Sequence, residues 1–587
     1  MWTRRPNASE LSDSRVGPLV VSDVQLISQL ITTISIDGCR TTTFGGPPSW
    51  TRVNLRNGVV MIGRLSAAVA AAVVLALPGA TSAQQSPSQE SAVPIPPGQI
   101  EAAVGRLDGL AEGLMRRTGV PGLAVAVVHD DKVVYAKGFG VRKVGSDGRV
   151  DEDTVFQLAS VSKPLGATVI ARSVGRSKVS WDDPITDYLP HFRLSDRFTS
   201  RRVTIADMYA HRSGLPEHIG DLQEDMGYGR REVLRRLRYV PLAPPLRSGY
   251  AYTNFGLTVG GLAAARAERA SWQDLSSRNL YKPLGMTSTS SRFSDYARSP
   301  RRAFGHVRVN GRWRAKFVRD ADAQTPAGGA SSSVADLAKW LRLQLADGVF
   351  NGERLIAKRA LRAMLRPHSL TAPPPTPDSR PSMSGLGVDI AVDSTGRMRY
   401  THSGAFALGA GTAVAWLPSE KLGIVALTNG EPIGVPESLI AEFLDLAELG
   451  RVTRDWLAGY TPIFAALQAN TSRLANKKRP VDPKSALRTR AYAGTYGNRY
   501  YGPARITARG GRLTMRLGPK HATFALHHWN ANTFSYQPRG ENAVGISAVT
   551  FRVGSNGRPA AMNVEFLDAQ GLGTFRRRNV HGAGSQR

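Results

Sequence analysis

The sequence predicts a mixed α/β domain built around one sheet, followed by a small all-β domain. Apolar alternation begins after Gly122 and returns between 385 and 430, which indicates strands at both ends of a long segment. Helical and loop patterns dominate from about 154 to 345, between those strands. Strands at both ends with helices between them favour one sheet assembled from distant segments, with a helical insert.

The spacing of apolar residues predicts the elements of the first domain in order. Residues 123–140, LAVAVVHDDKVVYAKGFG, predict two strands joined at Asp130-Asp131. Val334–Leu345 has the apolar spacing of an amphipathic helix. Strand patterns then return in four runs: GLGVDIAV, MRYTHSG, GTAVAWLP and LGIVALTNG. Residues 436–449 predict a helix that closes the domain, which we place at 100–450.

The carboxy-terminal part of the chain has a different texture. Residues 451–484 predict a helical connector that ends in a polar stretch. Residues 485–578 contain short alternating runs, and the turns at 510–512 (GGR) and 555–558 (SNGR) are strong hairpin signals. We therefore predict a separate all-β domain, a barrel or sandwich, followed by a tail at 579–587.

The amino-terminal part of the chain has the pattern of a targeting segment. Residues 65–77 are an apolar run of 13 residues, too short for a transmembrane anchor. Arginines before the run and small residues after it are typical of a signal peptide at 61–83. We expect cleavage after Ala83, a secreted or periplasmic protein and a linker at 84–99. Residues 1–60 are then a start-site extension, without predicted structure.

Composition limits the classes of function. The chain has 587 residues, 42% of them hydrophobic and 21% charged, which excludes a wholly disordered or polytopic membrane protein. Its only cysteine is Cys39, which excludes a disulfide framework. The net charge of +30 makes a polyanion-binding protein one rival hypothesis. The basic residues are scattered, however, and no nucleic-acid motif accompanies them, so we expect no nucleic-acid partner.

The first candidate for chemistry is the pair Ser160 and Lys163. A strand-like VFQLA leads into the helical pattern SKPLGATVIARSV, so Ser160 should lie at the mouth of a helix with Lys163 on the same face. A serine hydroxyl needs a base to become a nucleophile. Lysine can be that base when burial lowers its pKa. The amino end of a helix also offers free N–H groups to an oxyanion.

Two further motifs carry polar side chains at useful spacings. Tyr252 and Asn254 are two residues apart in extended backbone, so their side chains point the same way. Tyr252 could relay a proton, and Asn254 could bond Lys163 or a substrate amide. The segment His402-Ser403-Gly404 lies at the end of one predicted strand and before the next. Gly404 would let a substrate backbone approach, and His402 could bond the Tyr252 hydroxyl or the substrate.

Together, Ser160-x-x-Lys163, Tyr252-x-Asn254 and His402-Ser403-Gly404 resemble the motifs of the serine β-lactamase and penicillin-binding protein family. The Y-x-N form is similar to the class C branch and its esterase and D-aminopeptidase relatives. Three other segments resemble family landmarks: 208–216, 283–286 and 326–330. The resemblance covers about 100–450 and implies a transpeptidase-like fold, an antiparallel sheet flanked by helices plus a helical subdomain. Residues 485–578 resemble a lipocalin-like barrel.

The resemblance also implies roles for the residues. Ser160 would be the acylated nucleophile, and Lys163 its base or a base shared with Tyr252. The N–H groups of Ser160 and Ala405 would form the oxyanion hole. Asn254 would position the substrate amide, and His402, Ser403 and Gly404 would line the substrate site. Water would hydrolyse the acyl-enzyme, and no metal or organic cofactor is implied.

One departure from the family pattern affects the expected substrate. Many β-lactamases have lysine where this chain has His402, and histidine is mostly neutral near pH 7. We therefore expect an esterase or a peptidase, with a small-molecule or peptide substrate, rather than β-lactam resistance. Other histidines, such as His211 and His218, are interpreted as bystanders. A penicillin-recognising module without turnover remains an alternative, and the sequence does not indicate an oligomeric state.

Overall fold

A computed structural model of the chain describes residues 93–543 and 545–578. Four predicted segments fall wholly or mostly outside those residues: 1–60, 61–83, 84–99 and 579–587. Residues 93–450 contain strands that pair into one large sheet and three two-stranded sheets. Their bounds are β1 Gly122–His129, β2 Lys132–Gly140, β3 Phe156–Gln157, β4 Val307–Val309, β5 Arg312–Arg314, β6 Ser331–Ser332, β7 Val349–Phe350, β8 Glu353–Arg354, β9 Ser369–Ala372, β10 Ser382–Ser384, β11 Asp389–Val392, β12 Met398–Phe406, β13 Ala410–Leu417 and β14 Leu422–Thr428.

The large sheet joins the two ends of the first domain, as the sequence predicts. Over the described residues its eight strands have the order β2-β1-β14-β13-β12-β11-β10-β9, and all neighbours are antiparallel. β1 pairs with β14 although some 300 residues separate them, with Leu123 opposite Thr428. Asp130 and Asp131 form the β1–β2 turn with positive φ angles of 46° and 61°. Short polar side chains tolerate this conformation better than branched ones.

Helices cover both faces of the sheet and form the helical insert. Their bounds are α1 Gln99–Val104, α2 Leu107–Thr118, α3 Ser162–Gly175, α4 Ile185–Tyr188, α5 Arg197–Arg202, α6 Ile205–Tyr209, α7 Asp221–Asp225, α8 Arg230–Arg236, α9 Asn254–Ala267, α10 Trp272–Ser276, α11 Phe293–Arg298, α12 Thr325–Gly328, α13 Val334–Leu345, α14 Lys358–Met364, α15 Val435–Leu449 and α16 Trp456–Leu467. The predicted helix at α13 begins at Ser333, whose hydroxyl accepts the N–H of Asp336 at 3.3 Å and so caps the helix.

The sheet separates two hydrophobic cores. Alternate residues of β1 face opposite ways: Ala124, Ala126 and Val128 pack with α3 and α13, whereas Leu123 and Val125 pack with α2 and α15. This alternation is the period of two that a strand imposes on its side chains. The confirmed fold is therefore a sheet flanked by helices on both faces, with the helical insert between β3 and α13.

The carboxy-terminal part forms a closed barrel, which confirms the predicted all-β domain. Over the described residues it has eight antiparallel strands. They are β15 Gly494–Gly497, β16 Ala504–Arg509, β17 Arg512–Leu517, β18 Ala522–Asn530, β19 Thr533–Tyr536, β20 Ser547–Val553, β21 Pro559–Val564 and β22 Thr574–Arg577. Aromatic side chains fill its interior, among them Tyr492, Tyr496 and Phe575, all fully buried. Closure leaves this sheet without a free edge.

Within residues 93–543 and 545–578, no helix is both long enough and apolar enough to cross a bilayer.

Candidate active site

The local fold around Ser160 presents its hydroxyl at the start of a helix. β3 ends at Gln157, and a 3₁₀ turn at Ala159–Val161 leads directly into α3. Ala159 has φ of +46°, the left-handed region that favours glycine. This sharp turn places Ser160 between the sheet and the helical insert, where its side chain stays partly exposed. The predicted position of Ser160 at the mouth of a helix is confirmed.

Lys163 lies in the first turn of α3 and is completely buried. Its Nζ is 2.8 Å from Ser160 Oγ, 2.9 Å from Asn254 Oδ1 and 3.1 Å from the carbonyl oxygen of Ala327. The last two oxygens only accept hydrogen bonds, so the two N–H groups of a neutral lysine must point to them. The lone pair then faces Ser160 Oγ, which is the geometry that a base needs.

Burial lowers the pKa of Lys163 to about 7, because the interior disfavours its charged form. The carboxylates of Asp221 and Asp389 oppose this shift. Asp389 begins β11, and burial raises its own pKa to about 7. A lysine in this environment is uncharged in a large fraction of molecules at neutral pH, and therefore can accept a proton from Ser160.

Tyr252 also contacts the hydroxyl of Ser160. Its OH is 2.7 Å from Ser160 Oγ, and Lys163 Nζ is 4.5 Å from the centre of its ring. Burial raises the pKa of Tyr252 above its usual value. The phenol therefore stays protonated, and of the two neighbours Lys163 is the stronger candidate for the base. Tyr252 is placed to pass a proton between Ser160 and a leaving group.

Further hydrogen bonds hold Asn254, and through it Lys163, in position. Asn254 Nδ2 donates to Asp221 Oδ2 at 2.9 Å, which fixes Asn254 Oδ1 toward Lys163. The same carboxylate oxygen is 3.1 Å from His218 Nδ1. The backbone N–H of His218 in turn donates to the Tyr252 carbonyl at 2.8 Å. Asp221 thus ties both Y-x-N residues into one network.

β12 of the large sheet passes very close to Ser160. A Cβ on Gly404 would lie 2.3 Å from the Leu158 carbonyl oxygen and 3.0 Å from the Ser160 nitrogen. Glycine is therefore required at this position. In β12, Gly404 pairs with Thr412 and Ala405 with Gly411 of β13. Ala405 is exposed next to this contact, which is where the second oxyanion-hole N–H is predicted.

His402 is buried and uncharged. Burial and the neighbouring Lys163 lower its pKa to about 3. Its Nδ1 donates to the Ser403 carbonyl at 2.6 Å, which leaves Nε2 as the acceptor of the ring. The sequence left open a bond from His402 to the Tyr252 hydroxyl, but that hydroxyl bonds Ser160 instead. Ser403, the next residue, is exposed.

The structure brings the three predicted motifs together and adds residues that the sequence missed. His211 and His218 were interpreted as bystanders, yet their rings lie 4.7 and 5.4 Å from the ring of Tyr252. His211 Nδ1 also accepts the N–H of Thr253 at 3.1 Å. Asp221 and Asp389 lie outside the three sequence motifs. Of the described residues, no group of three or more histidine, cysteine or acidic side chains is arranged to hold a metal ion.

The pKa of Lys163 predicts how activity depends on pH. Because its folded-state pKa is near 7, it gains a proton and loses its base function as the pH falls below that value. We expect kcat/KM for an ester to fall about tenfold per pH unit on the acid side. The measurement is kcat/KM between pH 5 and 9.

Two carboxylate variants identify the group that causes this fall in kcat/KM at acid pH, called here the acid limb of the profile. The charges of Asp221 and Asp389 raise the pKa of Lys163, so Asp221→Asn and Asp389→Asn should each move the limb to lower pH. Asp389 titrates in the same range, and loss of the limb in Asp389→Asn would mean that it belongs to that carboxyl. A limb that moves to higher pH in either variant would also contradict the assignment.

Gly404→Ala tests the contact between β12 and the nucleophile. The added methyl group would overlap the Leu158 carbonyl and Thr412 Oγ1, each 2.3 Å away, and would push Ser160 and β12 apart. We expect kcat to fall about 100-fold, the usual cost of a lost oxyanion donor. Gly113→Ala is a control for a general glycine effect, since Gly113 lies in α2, has no left-handed φ, and its Cβ would meet no atom within 4 Å. Unchanged kcat in Gly404→Ala would show that the contact is not needed.

Comparisons with known proteins agree with this geometry. The sequence model of the family described as Beta-lactamase matches residues 107–448. A second model, described as a domain of unknown function (DUF3471), matches residues 478–574. It carries no functional description, so the likeness of the barrel to lipocalins stays a prediction.

Relatives and a solved structure extend the match. Unguisins hydrolase ungD of Aspergillus violaceofuscus is 25% identical over 438 residues, which span 69% of this chain and 76% of that protein. Esterase EstB of Burkholderia gladioli is 34% identical over 201 residues, 31% of this chain and 50% of the esterase. The octameric penicillin-binding protein homologue from Pyrococcus abyssi has a TM-score of 0.51 at 20% identity. It covers 79% of this chain and 98% of its own, and it supports the fold alone.

The match to the family covers more than half of the chain and includes all three motifs that converge on Ser160. The chain therefore belongs to the β-lactamase family and is a serine hydrolase of that family.

Proposed function

We propose that this protein hydrolyses an ester or amide through an acyl-enzyme on Ser160. The observation that carries the proposal is the position of Ser160 Oγ, 2.8 Å from a buried lysine amine and 2.7 Å from a tyrosine hydroxyl. One neighbour can take the proton of the nucleophile while the other delivers a proton to the leaving group. This pairing is the general arrangement for nucleophilic catalysis by serine.

In the proposed acylation step, Ser160 Oγ attacks the substrate carbonyl carbon and its proton passes to Lys163. The carbonyl oxygen becomes an oxyanion that the N–H groups of Ser160 and Ala405 stabilise. Collapse of this intermediate breaks the bond to the leaving group. Tyr252 gives its proton to that group and is reprotonated by Lys163, so the cycle conserves protons.

In the proposed deacylation step, a water molecule attacks the ester formed on Ser160. Lys163, acting through Tyr252, accepts the water proton, and Ser160 Oγ leaves with a proton. The second N–H of Asn254 Nδ2 would meanwhile hold the substrate amide, while Oδ1 and the first N–H keep Lys163 and Asp221 in place. The acid product is released and the enzyme returns to its starting state.

The neutral state of His402 supports a substrate without a carboxylate at that position. With a pKa lowered to about 3, the ring provides no positive charge near pH 7. We therefore favour simple esters or peptide amides over β-lactams, whose carboxylate would need a cation. Similarity to an esterase from Burkholderia gladioli is consistent with this preference.

The proposal includes export of the enzyme. It rests on the sequence pattern of residues 61–83, a short apolar run after arginines and before small residues. Amino-terminal sequencing of protein recovered outside the cytoplasm should begin at Gln84. A first residue before position 61, or protein retained entirely in the cytoplasm, would contradict export.

A substrate panel tests the catalytic proposal against the alternative of a sensor without turnover. The panel contains p-nitrophenyl esters, D- and L-amino-acid amides and nitrocefin. We expect many turnovers on an ester or amide and little or none on nitrocefin. A single stoichiometric burst with no further product would support the sensor alternative. The absence of both burst and turnover on every compound would contradict both hypotheses.

A further inference from the structure

The carboxy-terminal barrel is docked directly on the helical insert beside the active site. Tyr228 OH donates to the Tyr501 carbonyl at 2.8 Å. Gln223 Nε2 and Arg236 Nη1 both donate to the Tyr500 carbonyl, at 2.6 and 2.8 Å. These contacts involve α7, α8 and the segment between them. The same α7 begins with Asp221, which holds Asn254.

A loop between β19 and β20 extends from the barrel to the other end of α7. The carboxylate of Asp225 accepts the backbone N–H groups of Glu541 and Asn542, both at 2.9 Å. Asn542 Nδ2 adds a third bond at 2.9 Å. Gly540 has φ of +130°, and a Cβ there would lie 2.4 Å from Asp225 Cγ. The loop therefore fits closely against α7 and accepts only glycine at 540.

Glu541 continues from this loop to the turn between β12 and β13. Its Oε1 accepts the N–H of Ala407, two residues beyond Ala405. Its Oε2 lies 3.6 Å from Arg319 Nε. The side chains of Glu541 and Arg319 are only 12% and 9% exposed. A side chain of the barrel thus holds the end of the strand that lines the active site.

Arg319 connects this contact to the nucleophile. Its guanidinium donates to Glu224 Oε2 at 2.7 Å and lies 5.1 Å from the ring centre of Phe406. Its carbonyl accepts Gln157 Nε2 at 2.7 Å, at the end of β3 and three residues before Ser160. Arg319 therefore contacts the strand leading to Ser160, the turn after β12 and the barrel loop at once.

Phe406 links Arg319 to the residue that precedes Ser160. It packs with Ala159, Ala321 and Ala410 in a small buried cluster. Ala159 has the left-handed φ of +46° and immediately precedes Ser160. A non-glycine residue keeps such a conformation only when its surroundings hold it. Gly409, at the other end of the β12–β13 turn, packs against the backbone of Gly305. A Cβ added to Gly409 would lie 2.6 Å from the Gly305 Cα.

We infer that the barrel is a working part of the active site, in which Glu541 is a positioning residue. It holds the β12–β13 turn so that the N–H of Ala405 stays aligned with that of Ser160. The inference rests on the proposed function, since it takes Ala405 as an oxyanion donor. Burying Glu541, Glu224 and Arg319 is costly and stabilises a fold little by itself, so a positioning role accounts for the cluster better than stability does.

The test is the rate at which a fluorophosphonate labels Ser160. This reaction uses the same oxyanion hole as hydrolysis, and it can be measured without knowing the natural substrate. In this reaction Ser160 Oγ displaces fluoride from phosphorus and its proton leaves with the fluoride. Saturation kinetics separate the maximal rate, kinact, from the binding constant, KI. For Glu541→Ala we expect kinact to fall about tenfold or more, with KI changed less than about threefold.

Two variants separate positioning from general stability. Glu541→Gln keeps an oxygen that accepts the N–H of Ala407, so it should recover most of kinact. Gly540→Ala displaces the loop while retaining Glu541, so it should lower kinact as Glu541→Ala does, and it serves where Glu541→Ala does not fold. Tyr228→Phe is the matched control, because it removes an interdomain hydrogen bond away from the turn and should leave kinact unchanged.

Several results would overturn the inference. One is a folded Glu541→Ala or Gly540→Ala with the wild-type kinact. Another is an equal loss in Tyr228→Phe, which would mean that docking in general matters and Glu541 does not. Failure of the proposed function gives a different result, because wild-type protein would then show no labelling of Ser160 at all.

Discussion

Ser160→Ala is expected to lower kcat by at least about 10⁴-fold, because it removes the oxygen on which the proposed acyl-enzyme forms. In the wild type, Ser160 Oγ bonds both Lys163 Nζ and Tyr252 OH, and the substitution leaves these two groups without a nucleophile between them. The measurement is steady-state hydrolysis of the best ester or amide from the substrate panel. Each rate is divided by the concentration of folded protein.

Ser173→Ala is the matched control for Ser160→Ala. Ser173 lies near the other end of α3, donates to Glu268 Oε1 and accepts Asn279 Nδ2 at 2.9 Å. Loss of its hydroxyl leaves both partners with one hydrogen bond fewer, so it should reduce stability by about 1–3 kcal/mol and leave kcat within about threefold of the wild type. If Ser160→Ala kept more than a tenth of wild-type kcat, Ser160 would not be the nucleophile.

Lys163→Met should lower kcat by about 10³-fold while the protein stays folded. Methionine has a similar length and suits a buried site, so the variant removes the base with little change in volume. General-base catalysis contributes about 10²–10⁴-fold in enzymes of known mechanism. Lys163→Arg should fail similarly, because a guanidinium stays charged and cannot accept the Ser160 proton.

Lys137→Met is the control for the loss of a lysine. Lys137 lies on the exposed side of β2 and bonds Asp108 at 2.6 Å. A surface pair of this kind contributes about 0–1 kcal/mol, so both activity and melting temperature should change little. Wild-type activity in folded Lys163→Met would transfer the role of base to Tyr252.

Much of the fold could be predicted from the sequence because its signals are local. The alternation in β1 and β2 and the apolar spacing of α13 each lie within one short window. The edge strand β9 and its neighbour β10 were missed, since they are short and carry few apolar residues. β18 was missed as well, although its burial pattern alternates over part of its length.

The candidate site could be predicted only as far as its residues form recognisable motifs. Ser160, Lys163, Tyr252 and Asn254 do so, and the structure brings their side chains into hydrogen-bond contact. Asp221 has no motif, and its bond to Asn254 joins residues 33 positions apart. Such a contact depends on how α7 packs beside α9, and no local pattern encodes it.

Sequence patterns could not predict the contact between the barrel and the strand that lines the active site. The contact from Glu541 to Ala407 joins residues 134 positions apart and in different domains. A lone glutamate in a loop normally predicts a solvated surface. Its burial depends on the docking of two separately predicted units, which only the tertiary structure provides.

The proposed role of Ser160 as the acylated nucleophile is tested most directly by intact mass spectrometry. Wild-type protein treated with a fluorophosphonate should gain one adduct, which peptide mapping places on Ser160. Ser160→Ala, folded and treated in the same way, should gain none. An unlabelled wild type, or equal labelling of Ser160→Ala, would contradict the central claim.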